Sequence, residues 1–356
     1  MSLDTDTPIA VVSTTCLEVP PTGYGGLELM VYNLCHELGG RGYDVTCIAP
    51  QGTDIEGFDV IETTRPSDSD ACFRKEPQAF QQYADRLGDF DLVIDHSWQK
   101  LSYTKQALDP AGMRETTILG VWHRVPNFQP VPVEEPNLCA VSKAAARATS
   151  QRLGQEVRHA YNGIDVDRYP LQESKDDYLL TLNRVMPNKG VIECIDVAEE
   201  LGYPLKVVGE DKFLGNVEYV AEVMRRCATS ECAEYVGQVD HGTKRSLLQG
   251  ARALLLLPQA PYREAFGLAA VEGMATGTPV LATANGGLAE VVETVQGRGA
   301  YDNLNVLVAD LERVVDGSGR FPDATELRAG VEEHFSTARM ADMYLQRGEE
   351  AITEGW

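Results

Sequence analysis

Glu264 and Glu272 stand eight residues apart around the start of a run with helical composition, Phe266-Gly267-Leu-Ala-Ala-Val-Glu-Gly-Met-Ala. Glu264 lies just before that run. Helical periodicity places Glu272 about a turn and a half inside it, on the face that carries Leu268 and Ala275. A carboxylate on an otherwise apolar, buried face is costly unless something pairs with it, and the hydroxyls of a sugar or a ribose would do so. A helix with one acid in its entry loop and another on a solvated face is the alternative, and spacing alone leaves both open. Arg184 and Lys189 flank a second strand-to-helix loop in an acidic chain. Guanidinium and ammonium are the groups that neutralise a diphosphate, although surface cations are usually only solvated. Two histidines, His96 and His123, follow directly on apolar runs that read as strands. Its place at a strand's carboxyl end favours a ligand-facing role for His123, whereas His96 reads as a hydrogen-bonded structural residue.

These residues need a scaffold that gathers strand ends. Leu254 to Leu257 reads as a buried strand, Gly277 ends the helix that follows Gly267, and Val280 to Thr283 begins the next strand after Pro279. The amides at such a helix start lack intrahelical partners and lie at the positive end of the macrodipole, which suits a phosphate. Open α/β sheets bind ligands beyond the carboxyl ends of their strands. The chain begins in the same manner. Ile9 to Val12 is a strand, Gly25-Gly26 precedes a helical pattern through Leu29, Met30, Asn33, Leu34 and Leu38, and Val45 to Ala49 is the second strand. The G-x-G-x-x-G fingerprint of nicotinamide binding is missing. Gly25-Gly26 fits either a ligand-facing loop or a plain tight turn.

Residues 51–90 are polar and acidic, with a strand expected near Phe58 to Ile61 and a helix from Pro77 to Leu87. Strands follow at Leu92 to Ile94, Ile118 to Val121 and Leu138 to Val141, and Ser142 is placed to cap a helix. The shift to Gln172-Glu-Ser-Lys-Asp-Asp sets a domain boundary near residues 165–175. A second βαβ series then starts at Tyr178 to Leu182, and helices fill the chain beyond Tyr301.

At 356 residues the chain can form two domains with substantial cores. A formal net charge of -23 excludes the basic footprint of a nucleic-acid binder and disfavours adsorption to anionic lipid. Only nine of the 31 basic residues are lysines, a composition that fits a high-salt cytoplasm and an acidic proteome; full folding and activity without added salt would refute that reading. The absence of 18 consecutive apolar residues and the acidic start Met1-Ser-Leu-Asp point to a cytoplasmic protein without a transmembrane segment. The eight scattered cysteines form no C-x-x-C pair and are expected as free thiols.

The run Glu264-Ala-Phe-Gly-Leu-Ala-Ala-Val-Glu272, followed by Gly277-Thr-Pro-Val and the pair Gly286-Gly287 ahead of Glu290, resembles the E-x7-E signature of glycosyltransferase family 4, retaining enzymes of GT-B fold. E-x7-E alone is weak, but the ordered set is specific, and the likeness extends over essentially the whole chain. The resemblance implies two Rossmann-like α/β domains with parallel sheets facing across a cleft: an acceptor-side domain over 1–168, a donor-side domain over 169–335, and a helix over 336–356 crossing back to the first. It implies metal-independent transfer of a hexose-type sugar from a nucleotide diphosphate sugar, with no further cofactor. Arg184, Lys189, Gly25, Gly26 and the amides near Gly267 and Leu268 would hold the donor phosphates. His123, Glu264, Phe266 and Gly267 would contact the sugar, Glu272 the ribose, and Val239 the base. His123, Glu264, Arg184 and Lys189 would carry catalysis, by stabilising charge on the departing diphosphate and orienting the sugar.

Asp68-Ser69-Asp70 matches a metal-binding D-x-D by letter but lies in a polar stretch rather than after a strand, and is discounted. The acceptor is open, either a small molecule or a lipid-linked one met at the inner face of the membrane; Lys143, Arg147 and Arg152 cluster loosely on one helix. A sugar-nucleotide 2-epimerase of the same fold is a rival reaction class, though it needs further acid/base residues. A catalytically degenerate sugar-nucleotide-binding protein is another.

Overall fold

The computed structural model describes residues 3–23, 25–67, 69–125, 135–211 and 216–356. The chain divides into two compact units, Met1–Gly163 with Thr337–Trp356, and Ile164–Ser336.

The first unit is built on seven parallel strands: β1 (Ile9–Val12), β2 (Val45–Ala49), β3 (Asp59–Glu62), β4 (Leu92–Asp95), β5 (Thr117–Trp122), β6 (Leu138–Ala140) and β7 (Val157–His159). Their order is β3-β2-β1-β4-β5-β6-β7. β1 and β4 are buried along their whole length, as strands of a parallel sheet covered on both faces must be. The connections carry α1 (Gly26–Gly40), α2 (Ser69–Phe80), α3 (Leu101–Leu108) and α4 (Lys143–Leu153). Val12 lies opposite Asp95, and Asp95 opposite Gly120, so β1, β4 and β5 deliver their following residues to one sheet edge. Strand order reverses between β1 and β4, which opens a crevice at that edge.

The second unit repeats the plan with six parallel strands. They are β8 (Leu179–Leu182), β9 (Leu205–Val208), β10 (Ala233–Gly237), β11 (Ala253–Leu256), β12 (Val280–Thr283) and β13 (Ala300–Tyr301), in the order β10-β9-β8-β11-β12-β13. Its helices are α5 (Val191–Leu201), α6 (Val217–Thr229), α7 (His241–Gly250), α8 (Leu268–Ala275), α9 (Gly286–Gln296), α10 (Leu304–Val315) and α11 (Ala324–Phe335). Leu179, Val207, Leu255 and Leu281 from the sheet pack with Ile195, Leu307 and Leu311 into one core. Here the order reverses between β8 and β11.

The last helix, α12 (Thr337–Thr353), belongs to the first unit. Arg41, at the C-cap of α1, pairs with its Asp342 at 2.7 Å, and Arg158 on β7 with its Glu350 at 2.7 Å. A Cβ on Gly348 would come within 2.7 Å of Leu92, so glycine lets the helix lie close on β4.

The structure departs from the sequence reading between residues 69 and 90. The expected helix from Pro77 to Leu87 is replaced by α2, which contains Pro77 and ends at Phe80, and a 3₁₀ turn at Ala84–Asp89. Proline cannot donate to the carbonyl one turn back. Gln99 compensates, its side-chain amide donating to the Phe73 carbonyl. Asp68 and the side chains of Ser69 and Asp70 lie outside the described residues, and with them the D-x-D triplet. All eight cysteines are free. Among the described residues no helix is long and apolar enough to cross a membrane.

Candidate active site

The loops after β8 and β11, which flank the switch point of the second sheet, are joined backbone to backbone: Gln259 N–H donates to the Asn188 carbonyl at 3.0 Å. A 3₁₀ turn at Pro187–Lys189 leads into Gly190, whose φ is +67°. A Cβ there would fall 1.8 Å from the Leu257 carbonyl oxygen, so only glycine lets the two loops approach this closely. The approach brings Lys189 to Glu264. Its ammonium forms an ion pair with the Glu264 carboxylate, donates to the Tyr262 hydroxyl at 3.0 Å, and lies 4.7 Å from the centre of the Tyr262 ring. Tyr262 in turn donates to Glu264 Oε1 at 3.1 Å. Burial works against the Lys189 charge, but Glu264 and Tyr262 outweigh it and hold the group well above the ordinary lysine range. Burial likewise raises Tyr262, with Glu264 adding to it, so its hydroxyl stays a donor.

The glycine pair explains how Glu264 is held. The Glu264 amide donates to Asn285 Oδ1 at 2.8 Å, and its carbonyl accepts from Gly287 N–H at 2.7 Å. Gly286 adopts φ +54°, and a Cβ there would be 2.4 Å from the Glu264 carbonyl oxygen. The loop is therefore clamped onto the start of α9 from both sides.

Helix starts differ in how they are capped. α4, α7, α10 and α11 are capped by the side chains of Ser142, Asp240, Asn303 and Asp323. The helices that follow β1, β4, β8 and β11 have no such cap at Gly25, Lys100, Gly190 or Gly267. These are the four strands flanking the two switch points, although α6 and α9, after β9 and β12, also start without a side-chain cap, at Asn216 and Asn285. Amides left without a capping side chain suit an anionic ligand.

Other anticipated residues divide by what their side chains do. Phe266 is 3% exposed, and its ring stacks edge-on against Phe335 at 5.5 Å. That ring is committed to the core, which leaves the backbone for a ligand. Glu272 is 6% exposed; its Oε1 accepts from Tyr169 at 2.6 Å and pairs with Lys244 at 2.7 Å. Burial and the neighbouring carboxylate raise Tyr169, which keeps its hydroxyl protonated as the donor. Arg184 is partly buried two residues beyond β8, and Val239 is partly buried ahead of the capping Asp240. Gly25 has extended backbone, and a Cβ would meet Pro21 at 2.7 Å, so its bare Cα serves packing. Gly26 opens α1.

In the first unit, His123 and His96 meet at the carboxyl edge. His96 Nδ1 lies 2.9 Å from His123 Nε2, and the His96 ring packs edge-on to Tyr344 of α12. Beneath them is a buried charge network. Asp95 accepts from Ser102 and, at 2.8 Å, from Ser97 N–H. Glu76 accepts from the amides of Trp98 at 2.6 Å and Gln99 at 2.7 Å. Lys100 donates to the Ser97 carbonyl and lies 5.0 Å from the Trp122 ring centre. Burial pushes both Glu76 and Glu135 up to about 7. Burial, and then the Lys100 charge, pushes His123 down to about 3. Burial, then His123 and Lys100, drives His96 well below the ordinary histidine range. Both rings are neutral near pH 7.

Sequence reasoning passed over Tyr262, Asn285, Tyr169 and Lys244. The first two lie within the Pro258–Val292 stretch that carries the glutamates. Tyr169 and Lys244 reach Glu272 from 103 and 28 residues away, a convergence no local pattern encodes.

Residues 165–306 match the family described as Glycosyl transferases group 1, a span that holds Arg184, Lys189, Glu264, Gly267 and Glu272. The chain is 26% identical over 332 residues to a glycogen synthase of Mycobacterium tuberculosis, covering 77% of this chain and 78% of that one. It is 27% identical over 312 residues to the phosphatidyl-myo-inositol mannosyltransferase of the same species, covering 77% of each. The crystal structure of AviGT4, a glycosyltransferase involved in avilamycin A biosynthesis, superposes with a TM-score of 0.75 at 25% identity, over 98% of this chain and 99% of that one. The chain is a glycosyltransferase of the GT-B fold. In this glycosyltransferase the Lys189–Tyr262–Glu264 cluster and the uncapped start of α8 fall within the span matched to the family.

Proposed function

We propose that this glycosyltransferase is a retaining, metal-independent enzyme of the family 4 type, moving a hexose-type sugar from a nucleotide diphosphate sugar to an acceptor. The observation that carries the reading is the Lys189–Glu264 pair, a cation and a carboxylate side by side at the switch point of the second sheet. Lys189, Arg184 and the amides at Gly267 and Leu268, with Gly25 and Gly26, take the diphosphate. Glu264, His123, Gly267 and the Phe266 backbone hold the sugar. Glu272 takes the ribose, and the backbone near Val239 takes the base. Fixed cations and amides stabilise charge as it builds on the leaving group, commonly the largest catalytic contribution. The bond from the anomeric carbon to the diphosphate oxygen breaks while the acceptor oxygen bonds that carbon from the same face. The acceptor proton passes to the departing diphosphate. A cytoplasmic pool of sugar nucleotide fits this reading.

Incubation with UDP-, GDP- and ADP-sugars, without acceptor and in the presence of EDTA, tests it by NMR of the released sugar. Slow hydrolysis that first yields the donor's anomer supports the proposal. An inverted anomer refutes retention, abolition by EDTA refutes metal independence, and an epimerised sugar nucleotide establishes the rival chemistry.

A further inference from the structure

His96 has no place in the roles assigned above, yet it makes the one hydrogen bond that the described residues give the His123 ring. That contact joins two nitrogens and so holds one proton, donated either by His96 Nδ1 or by His123 Nε2. The surroundings of His96 separate the two. Its ring is fully buried, and its Nε2 has no hydrogen-bond partner among the described residues. If His123 were the donor, the neutral His96 would carry its own proton on Nε2, a buried N–H without an acceptor. If His96 donates, Nε2 bears only a lone pair. Orphaned buried N–H groups are the rarer and costlier outcome.

We infer that His96 is a positioning residue: its Nδ1–H donates to His123 Nε2 and locks His123 in the tautomer protonated at Nδ1. His123 Nδ1 makes no bond to the described residues, and the His123 residue is partly exposed, so Nδ1 is the nitrogen left to meet a ligand. His123 then presents a fixed N–H donor suited to a sugar hydroxyl oxygen and offers no basic nitrogen on that side. Its second nitrogen is occupied by His96 and cannot take a proton from an acceptor. The Lys100 charge beneath the pair supports the same state by opposing a second proton on either ring. The consequence for catalysis rests on the reading of His123 as a sugar contact, but the tautomer does not.

The test is long-range ¹H–¹⁵N NMR on protein labelled at its histidine ring nitrogens, with the signals of the six histidines assigned by single substitutions. It needs no sugar nucleotide, so failure here is distinct from failure of the transferase reading. His123 is expected protonated at Nδ1 and bare at Nε2 in the wild-type protein. His96→Asn, whose side-chain amide can donate from the place of Nδ1, preserves that pattern. His96→Leu removes the donor and shifts the His123 tautomer ratio roughly fivefold toward Nε2–H. Wild-type His123 protonated at Nε2, or an unchanged His123 in a folded His96→Leu protein, overturns the inference. If His96→Leu does not fold, the wild-type and His96→Asn spectra still decide it.

Discussion

Lys189 and Glu264, 75 residues apart in sequence, close into an ion pair with the Tyr262 hydroxyl bonded to both. Sequence logic gives the lysine to phosphate and the glutamate to sugar hydroxyls; in the structure the two side chains also pair with each other. Lys189→Met is therefore expected to lower kcat/KM by about 10²–10³-fold, the loss typical of one electrostatic donor. Glu264→Gln leaves a largely buried ammonium without its counter-charge and costs about 3 kcal/mol of stability as well as activity. Steady-state rates and denaturant unfolding check both, and wild-type turnover in either variant removes these residues from the site.

Glu272 makes a separate prediction. Tyr169 and Lys244 both engage Oε1, while Oε2 accepts no hydrogen bond from the described residues. Glu272→Gln should weaken nucleotide diphosphate binding by about tenfold, as loss of a charge-assisted hydrogen bond does. The effect should fall on affinity rather than on the chemical step, because the ribose is remote from the reacting carbon. Calorimetric titration beside single-turnover rates separates the two, and an unchanged affinity with a slowed chemical step contradicts the assignment.

His123 gives a pH dependence with a defined sign. Its folded pKa, about 3, lies below its ordinary 6.5, so between those values the unfolded chain binds the extra proton. The stability gained by keeping the ring neutral is complete above pH 6.5 and drains away as pH falls toward 3. The unfolding free energy of the wild type relative to His123→Asn should accordingly decline by roughly 2 kcal/mol between pH 6.5 and about pH 4.5. Glu76 and Glu135 titrate in both proteins and cancel in the difference. A pH-independent difference would mean that the ring is not held neutral.

Gly190→Ala tests the backbone approach that creates the site. The added methyl meets the Leu257 carbonyl in a left-handed backbone conformation, so the loops must separate. A loss of at least about 2 kcal/mol is expected, together with activity, because Lys189 moves with Gly190. An active variant of wild-type stability would contradict the proposed packing of these loops.

The parallel sheets were legible in the sequence because their strands are short apolar runs with helical periodicity between them. E-x7-E with its ordered neighbours marked the loop that holds Glu264. The glycine pair was visible, but its reason was not: Gly286 yields to a backbone carbonyl 22 residues earlier, a tertiary contact. The network of Asp95, Lys100 and Glu76 was equally hidden. Glu76 comes from the acidic stretch where the sequence places a helix only from Pro77 on, and it reaches the loop after β4 because α2 runs through Pro77 with help from Gln99. Local pattern shows where an element can form; it does not show which distant polar group repairs it.

Calorimetric titration of UDP, GDP and ADP into the wild-type protein and into Lys189→Gln addresses the diphosphate-binding claim directly. At least one of the three should bind the wild-type chain, and Lys189→Gln should weaken that binding by about tenfold or more. Failure of all three to bind, or equal affinity in the variant, would contradict the account.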